Sequence, residues 1–126
     1  MKTEVYSGGS FSGSLVGYIE DDEVYRGGIF SGTQVGYIKG DDIYSGGIFS
    51  GTKVGYLNGN DVYRGGSFSG SVIGNIDGDE IYAGGTFSRK LVGKINGGRR
   101  IEGAAALLLL LWRFNKFIIY STTIEI

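Results

Sequence analysis

Apolar side chains in this chain recur in short bursts rather than at helical spacing. From Val5 onward the bursts alternate with glycine, serine and carboxylate residues, and the whole pattern repeats every 19 residues. Five copies begin at Val5, Val24, Ile43, Val62 and Ile81, and the second reads VYRGGIFSGTQVGYIKGDD. Close self-similarity at a fixed period marks a fold assembled from like supersecondary units. The Val-Tyr and Val-Gly-Tyr-Ile stretches are β-branched and aromatic, which suits half-buried strands. In the second copy one strand is expected over 24–30 and its return over 35–38. Gly40-Asp41, Gly59-Asn60 and Gly78-Asp79 then separate apolar runs by two residues, where glycine supplies the positive φ of a tight hairpin. Ten short strands in this order describe an antiparallel meander.

The odd period carries further information. Strand side chains alternate faces, so an odd repeat joined by two-residue turns would reverse the buried face from copy to copy. Tyr6, Tyr25, Tyr44, Tyr63 and Tyr82 nevertheless share one slot, so each unit must absorb an extra residue in a bulge or an odd-length turn. The pairs Gly8-Gly9, Gly27-Gly28, Gly46-Gly47, Gly65-Gly66 and Gly84-Gly85 are the expected place, because glycine accepts bulge geometry and sharp bends. A bend in every copy curls the meander, and a curled sheet removes its edges by closing. The expected fold is mainly β: a pseudo-symmetric ring, barrel or flower of hairpins over 5–100, within one domain spanning 1–126. The slots of Val5, Val24, Ile43, Val62 and Ile81, of Phe11, Phe30, Phe49, Phe68 and Phe87, and of Ile19, Ile38, Leu57, Ile76 and Ile95 are always apolar and belong to the core. Tyr18, Tyr37 and Tyr56 share a slot with Asn75 and Lys94, which places them toward water. Leu15, Gln34, Lys53, Val72 and Leu91 form a mixed slot at a rim.

After Gly103 the pattern breaks. Ala104-Ala105-Ala106 and five consecutive leucines, closed by Trp112, are strong helix formers and predict a helix over 102–115. It is apolar on every side, so no face suits water and the helix must be enclosed. Two enclosures are open: the hairpin ring of its own chain, or a bundle of the same helix from partner chains, with Leu107, Leu108, Leu110, Leu111 and Trp112 as the contact surface. Residues 117–126 are β-branched and read as a terminal strand or a tail.

Composition narrows the chemistry. The 126 residues include 25 glycines and neither proline, histidine nor cysteine. Disulfides, zinc–thiolate sites and histidine-dependent triads are thereby excluded, and no cofactor is expected. The serines read as turn formers. The carboxylates of Glu20-Asp21-Asp22-Glu23, Asp41-Asp42, Asp61 and Asp79-Glu80 read as solvated turns rather than as a metal or glycosidase site. With 12 basic against 13 acidic residues, general polyanion binding is not expected. Charge is lopsided along the chain, however: copy one ends in four carboxylates, whereas copy five carries Arg89, Lys90, Lys94, Arg99 and Arg100. Opposite charges would set register wherever those copies meet. The apolar helix and this asymmetry together predict a homo-oligomer. The row Tyr18, Tyr37 and Tyr56 offers a flat aromatic surface for a sugar, a small ligand or a partner. The start of the chain lacks the apolar run of a signal peptide, and the leucine run is too short to span a bilayer; a cytoplasmic, non-membrane protein is expected.

The repeated Ile/Val-Tyr-Ser-Gly and Val-Gly-Tyr-Ile words, followed by the alanine–leucine run 104–111, resemble uncharacterised bacterial proteins described as 4-fold β-flower proteins. The resemblance covers roughly residues 5–111. It implies hairpin petals, four by that description, and brings no activity, cofactor or functional residues. The functional expectation is a non-enzymatic, self-associating β-repeat module, with a carbohydrate- or small-ligand-binding module using the tyrosine row as the alternative.

Overall fold

A computed structural model describes residues 2–8, 13–28, 32–47, 51–65, 70–85 and 89–111. The expectations for Phe11, Phe30, Phe49, Phe68, Phe87 and Trp112, for the helix beyond 111 and for 117–126 lie outside these residues. Ten strands follow one another: β1 (Lys2–Ser7), β2 (Ser14–Glu20), β3 (Glu23–Arg26), β4 (Thr33–Lys39), β5 (Asp42–Ser45), β6 (Thr52–Asn58), β7 (Asp61–Arg64), β8 (Ser71–Asp77), β9 (Glu80–Ala83) and β10 (Lys90–Ile95). Each pairs antiparallel with its neighbours in sequence, and β1 pairs with β10 to close a barrel. Four petals are hairpins, β2–β3, β4–β5, β6–β7 and β8–β9. The fifth joins β10 to β1, so copies one and five meet within the chain.

The tight turns behave as their residues require. Gly40, Gly59 and Gly78 take φ of 64°, 65° and 63°, positive only at the first central position, as in a II′ turn. The first petal has no glycine there; Asp21 and Asp22 are both left-handed, at 54° and 65°, which is the I′ alternative that aspartate tolerates.

The bulge lies elsewhere than expected. Val24 faces Gly36 and Tyr25 faces Gln34, so Val35 is the extra residue. Val16, Val54, Ile73 and Val92 are its equivalents. The reason sits in the glycine that follows each of them. A Cβ at Gly36 would run into the carbonyl oxygen of Tyr44, and one at Gly17 into that of Tyr25, so the strands can close up beside the bulge only where the side chain is hydrogen. The glycine pairs do a different task. Gly8, Gly27, Gly46, Gly65 and Gly84 take φ between 93° and 113° and end the short strands, so the strand expected over 24–30 stops at Arg26. The N–H of Gly27 donates to Val16 O at 3.0 Å and that of Gly46 to Val35 O at 2.9 Å, pinning each bulge from its other edge.

Inside the barrel, Val5, Val24, Ile43, Val62 and Ile81 together with Ile19, Ile38, Leu57, Ile76 and Ile95 form the buried lining. The axis is filled by α1 (Arg100–Ala106), which continues as a π-helical segment, Leu107–Leu111. Every residue from 101 to 111 is buried, so the enclosure is the chain's own ring. The helix starts at Arg100, before the expected 102, because the carboxylate of Glu102 accepts the N–H of Arg99 at 3.0 Å and satisfies a donor that a helix start leaves orphaned.

The change from α to π has a geometric cause. Leu107 packs on Gly74, Leu108 on Gly55, Leu109 on Gly36, Leu110 on Gly17 and Leu111 on Gly93, with a leucine methyl carbon 2.5–2.9 Å from where each glycine would carry a Cβ. Successive leucines therefore step round the ring one petal at a time. Five petals stand about 72° apart, whereas successive residues of an α-helix turn by about 100°. The wider i→i+5 turn of a π-helix brings the step toward the petal spacing.

Candidate functional site

Three features of the barrel surface could act on other molecules: an aromatic belt round the wall, a plugged end and a charge difference between the two ends. The belt comes from the strand period. Val24 points inward, so Tyr25 points outward, and Tyr18 lies beside it across the β2–β3 hairpin. Tyr18 and Tyr25 stack with centroids 4.8 Å apart, Tyr37 and Tyr44 at 5.0 Å, and Tyr56 and Tyr63 at 4.8 Å. Such pairs contribute roughly 0.5–1.5 kcal/mol beyond the area they bury. The first ring of each pair also lies under the loop of the next unit: a Cβ at Gly32 would stand 2.8 Å from Tyr18 Cε1, and one at Gly51 2.6 Å from Tyr37 Cε1. Lys2 lies 4.9 Å from the centroid of Tyr18 and Lys53 5.1 Å from that of Tyr56. Tyr18, expected to face water, is only 7% exposed, because the stacked ring, the loop and the cation cover it. Tyr37 and Tyr56 are half-buried.

Three tyrosines of the slot that holds Tyr25 are fixed by carboxylates two residues back. Tyr25 donates its hydroxyl hydrogen to Glu23 at 2.5 Å, Tyr6 to Glu4 at 2.7 Å and Tyr82 to Glu80 at 2.8 Å. A phenol that donates to a carboxylate resists losing its proton. The bond to Glu23, with partial burial second, pushes Tyr25 up to about 12. Tyr6 and Tyr82 are raised for the same first reason, by Glu4 and Glu80.

The end of the barrel that carries the tight turns is plugged at the helix start. Glu102, buried, accepts the hydroxyl of Thr3 at 2.9 Å as well as the Arg99 N–H. Arg99 bridges Glu102 at 3.2 Å and Asp22 at 2.5 Å, and the Asp22 bond is the chief reason its guanidinium is held still more firmly protonated. Arg100 donates to Gly59 O at 3.1 Å. Acidic side chains gather at this same end, among them Asp21, Asp41, Asp61, Asp77 and Asp79. Among the described residues no three of them converge on a metal-sized point.

The opposite end, where the glycine pairs lie, holds Arg26, Arg64 and Lys90 and no described carboxylate, whereas the guanidinium of Arg89, which starts from this end, reaches back to within 3.9 Å of Asp77. Arg26 donates to Leu109 O at 2.7 Å. The barrel is thus electrically polar along its axis, acidic where the helix starts and basic where its carbonyls end, the sense that complements a helix dipole. Leu15 and Val72, in the mixed slot, are exposed at this basic rim.

Of the residues marked out from sequence, Leu107, Leu108, Leu110 and Leu111 are joined in one ring inside the barrel, together with Leu109, which the sequence reading had not singled out. Tyr18, Tyr37 and Tyr56 lie on successive petals, each stacked on its own partner rather than on one another. Thr3, Glu102 and Arg26 were also missed. Only Glu102 carried a signal, a lone carboxylate at the head of an apolar run. Among the described residues no helix is long and apolar enough to cross a membrane.

Residues 5–121 match a protein-family model described as 6-fold beta flower protein. No curated protein and no solved structure matches.

Proposed function

The chain belongs to the 6-fold beta flower family, and on that premise we propose that it is a non-enzymatic structural module whose barrels associate end to end. The family description names six-fold symmetry rather than the four-fold symmetry of the proteins it resembles in sequence, and this barrel closes with five petals. The observation that carries the association is the axial charge polarity. Asp21, Asp41 and Asp79 crown one end while Lys90 is exposed at the other, so a second copy presents the complementary end. Such a contact is heterologous and extends into stacks rather than closing as a dimer. The helix no longer motivates self-association, since its described residues are spent on the chain's own ring. A non-catalytic role is supported by a chain without histidine or cysteine.

Light scattering over a wide concentration range tests this. At low salt the mass should rise above the 13.5 kDa of one chain with concentration. Added salt should return it toward that value, as screening removes charge steering beyond roughly 10 Å at 0.1 M. A single-chain mass at every concentration in low salt would remove the proposal. The alternative, sugar or small-ligand binding by Tyr18, Tyr37 and Tyr56, would have to work through ring edges and hydroxyls, because one face of each ring is already stacked.

A further inference from the structure

The fourth petal breaks the aromatic belt in two places that meet. In the first three petals a tyrosine (Tyr18, Tyr37, Tyr56) stacks on its partner and fits under a loop glycine (Gly32, Gly51, Gly70). In the fourth, Asn75 stands in the tyrosine slot and Arg89 in the glycine slot. The two changes are linked by space. The guanidinium of Arg89 lies 4.2 Å from the ring centroid of Tyr82, covering the partner ring that a tyrosine at 75 would have covered. The exchange does not fill the slot. It leaves a cavity of about 190 Å³ lined by Asp61, Val72, Gly74, Asn75, Gly84, Gly85 and Arg89.

We propose that this cavity binds one neutral, polyhydroxylated ring of monosaccharide size. The polar groups around it are under-used. Among the described residues neither the Asp61 carboxylate nor the half-buried Asn75 amide has a hydrogen-bond partner, and Arg89 stands 3.9 Å from Asp77, beyond direct hydrogen-bonding distance. Asp61 accepts, Arg89 donates, and the Asn75 amide does both, which is the set that vicinal hydroxyls satisfy. A net anion would face Asp61 and Asp77, and a net cation would face Arg89. A flat aromatic ligand would find the Tyr82 face already taken. The volume lies below the roughly 300 Å³ at which drug-sized pockets begin, which limits the occupant to a single ring. On one side Gly85, where an added Cβ would meet open space, lets its carbons approach the backbone.

Pseudo-symmetry supplies internal controls for the test. The isotopically labelled full chain would be titrated with D-glucose, D-galactose, D-mannose and myo-inositol, with inorganic phosphate and a quaternary ammonium as charged counterparts, and followed by amide NMR. At least one neutral probe should give saturable shifts at Gly74, Asn75, Gly84 and Gly85, while Gly36, Gly46, Gly55 and Gly65 stay still. The double variant Asn75→Tyr/Arg89→Gly rewrites this petal in the pattern of Tyr56 and Gly70. It should abolish the shifts while the remaining amides keep their positions. Should that variant fail to fold, Asp61→Asn, on an exposed side chain, should weaken the same titration several-fold. No saturable response to any neutral ring, equal responses in several petals, tighter binding of phosphate or the ammonium, or shifts that survive these substitutions would overturn the proposal.

Discussion

Replacing the five leucines of the axis by alanine, one at a time, probes the match between helix and ring. Leu107, Leu108, Leu109, Leu110 and Leu111 are between 0% and 6% exposed, and each packs on the glycine of a different petal. Loss of a buried leucine, with the cavity it leaves, costs about 3–4 kcal/mol in a tightly packed core. That is a large part of the 5–15 kcal/mol, roughly, by which a domain exceeds its unfolded state. In urea, with a slope of about 1–3 kcal/mol/M, each variant should shift its unfolding midpoint downward by at least about 1 M. The five shifts should also resemble one another, because five like petals make five like sockets. On an α-helix, residues 107 and 111 would share a face, leaving one petal without a leucine. Circular dichroism followed through urea titrations measures the shifts. One or two leucines whose loss costs under about 1 kcal/mol, beside others at full cost, would refute the one-leucine-per-petal packing.

Other consequences follow from the same geometry. Gly36→Ala should destabilise by about 1–3 kcal/mol, as overpacking does, since its methyl meets both Leu109 and the Tyr44 carbonyl; an unchanged melting temperature would contradict this. Glu102→Ala strips the Thr3 hydroxyl and the Arg99 N–H of their acceptor and should lower stability by about 1–3 kcal/mol, with Glu102→Gln recovering part of it in the same denaturation assay. The raised pKa values of Tyr25, Tyr6 and Tyr82 set the sign of the alkaline response. Their contribution is complete below the unfolded-state value near 10 and is lost as pH rises toward the folded value of about 12 for Tyr25. Melting temperature should fall across that window, and less steeply in Tyr25→Phe.

Much of the architecture was legible because glycine and β-branched residues leave strong local marks. The two-residue turns were readable since Gly40, Gly59 and Gly78 occupy positions that need positive φ, and burial of the helix was readable since no face of 104–111 suits water. The bulge was not. Val35 looks like any other strand residue, and only the register shows that it is unpaired toward β3. The glycines after the bulges were equally opaque, because their need comes from carbonyls across the ladder and from leucines far along the chain. Tyr18 was placed toward water on the evidence of Asn75 and Lys94 in its slot, yet the loop that covers it belongs to the following copy. Asn75 and Arg89 were each visible as departures from the repeat. Their adjacency became apparent only once β8 and β9 were paired.

The most direct test is a set of through-space contacts in methyl-labelled protein. Leu107, Leu108, Leu109, Leu110 and Leu111 should show their strongest cross-peaks to the α-protons of Gly74, Gly55, Gly36, Gly17 and Gly93 respectively, one petal for each leucine. Leucine methyls that contact two or three petals indiscriminately, or that lie open to a paramagnetic agent dissolved in the solvent, would show that the barrel does not close round its own helix.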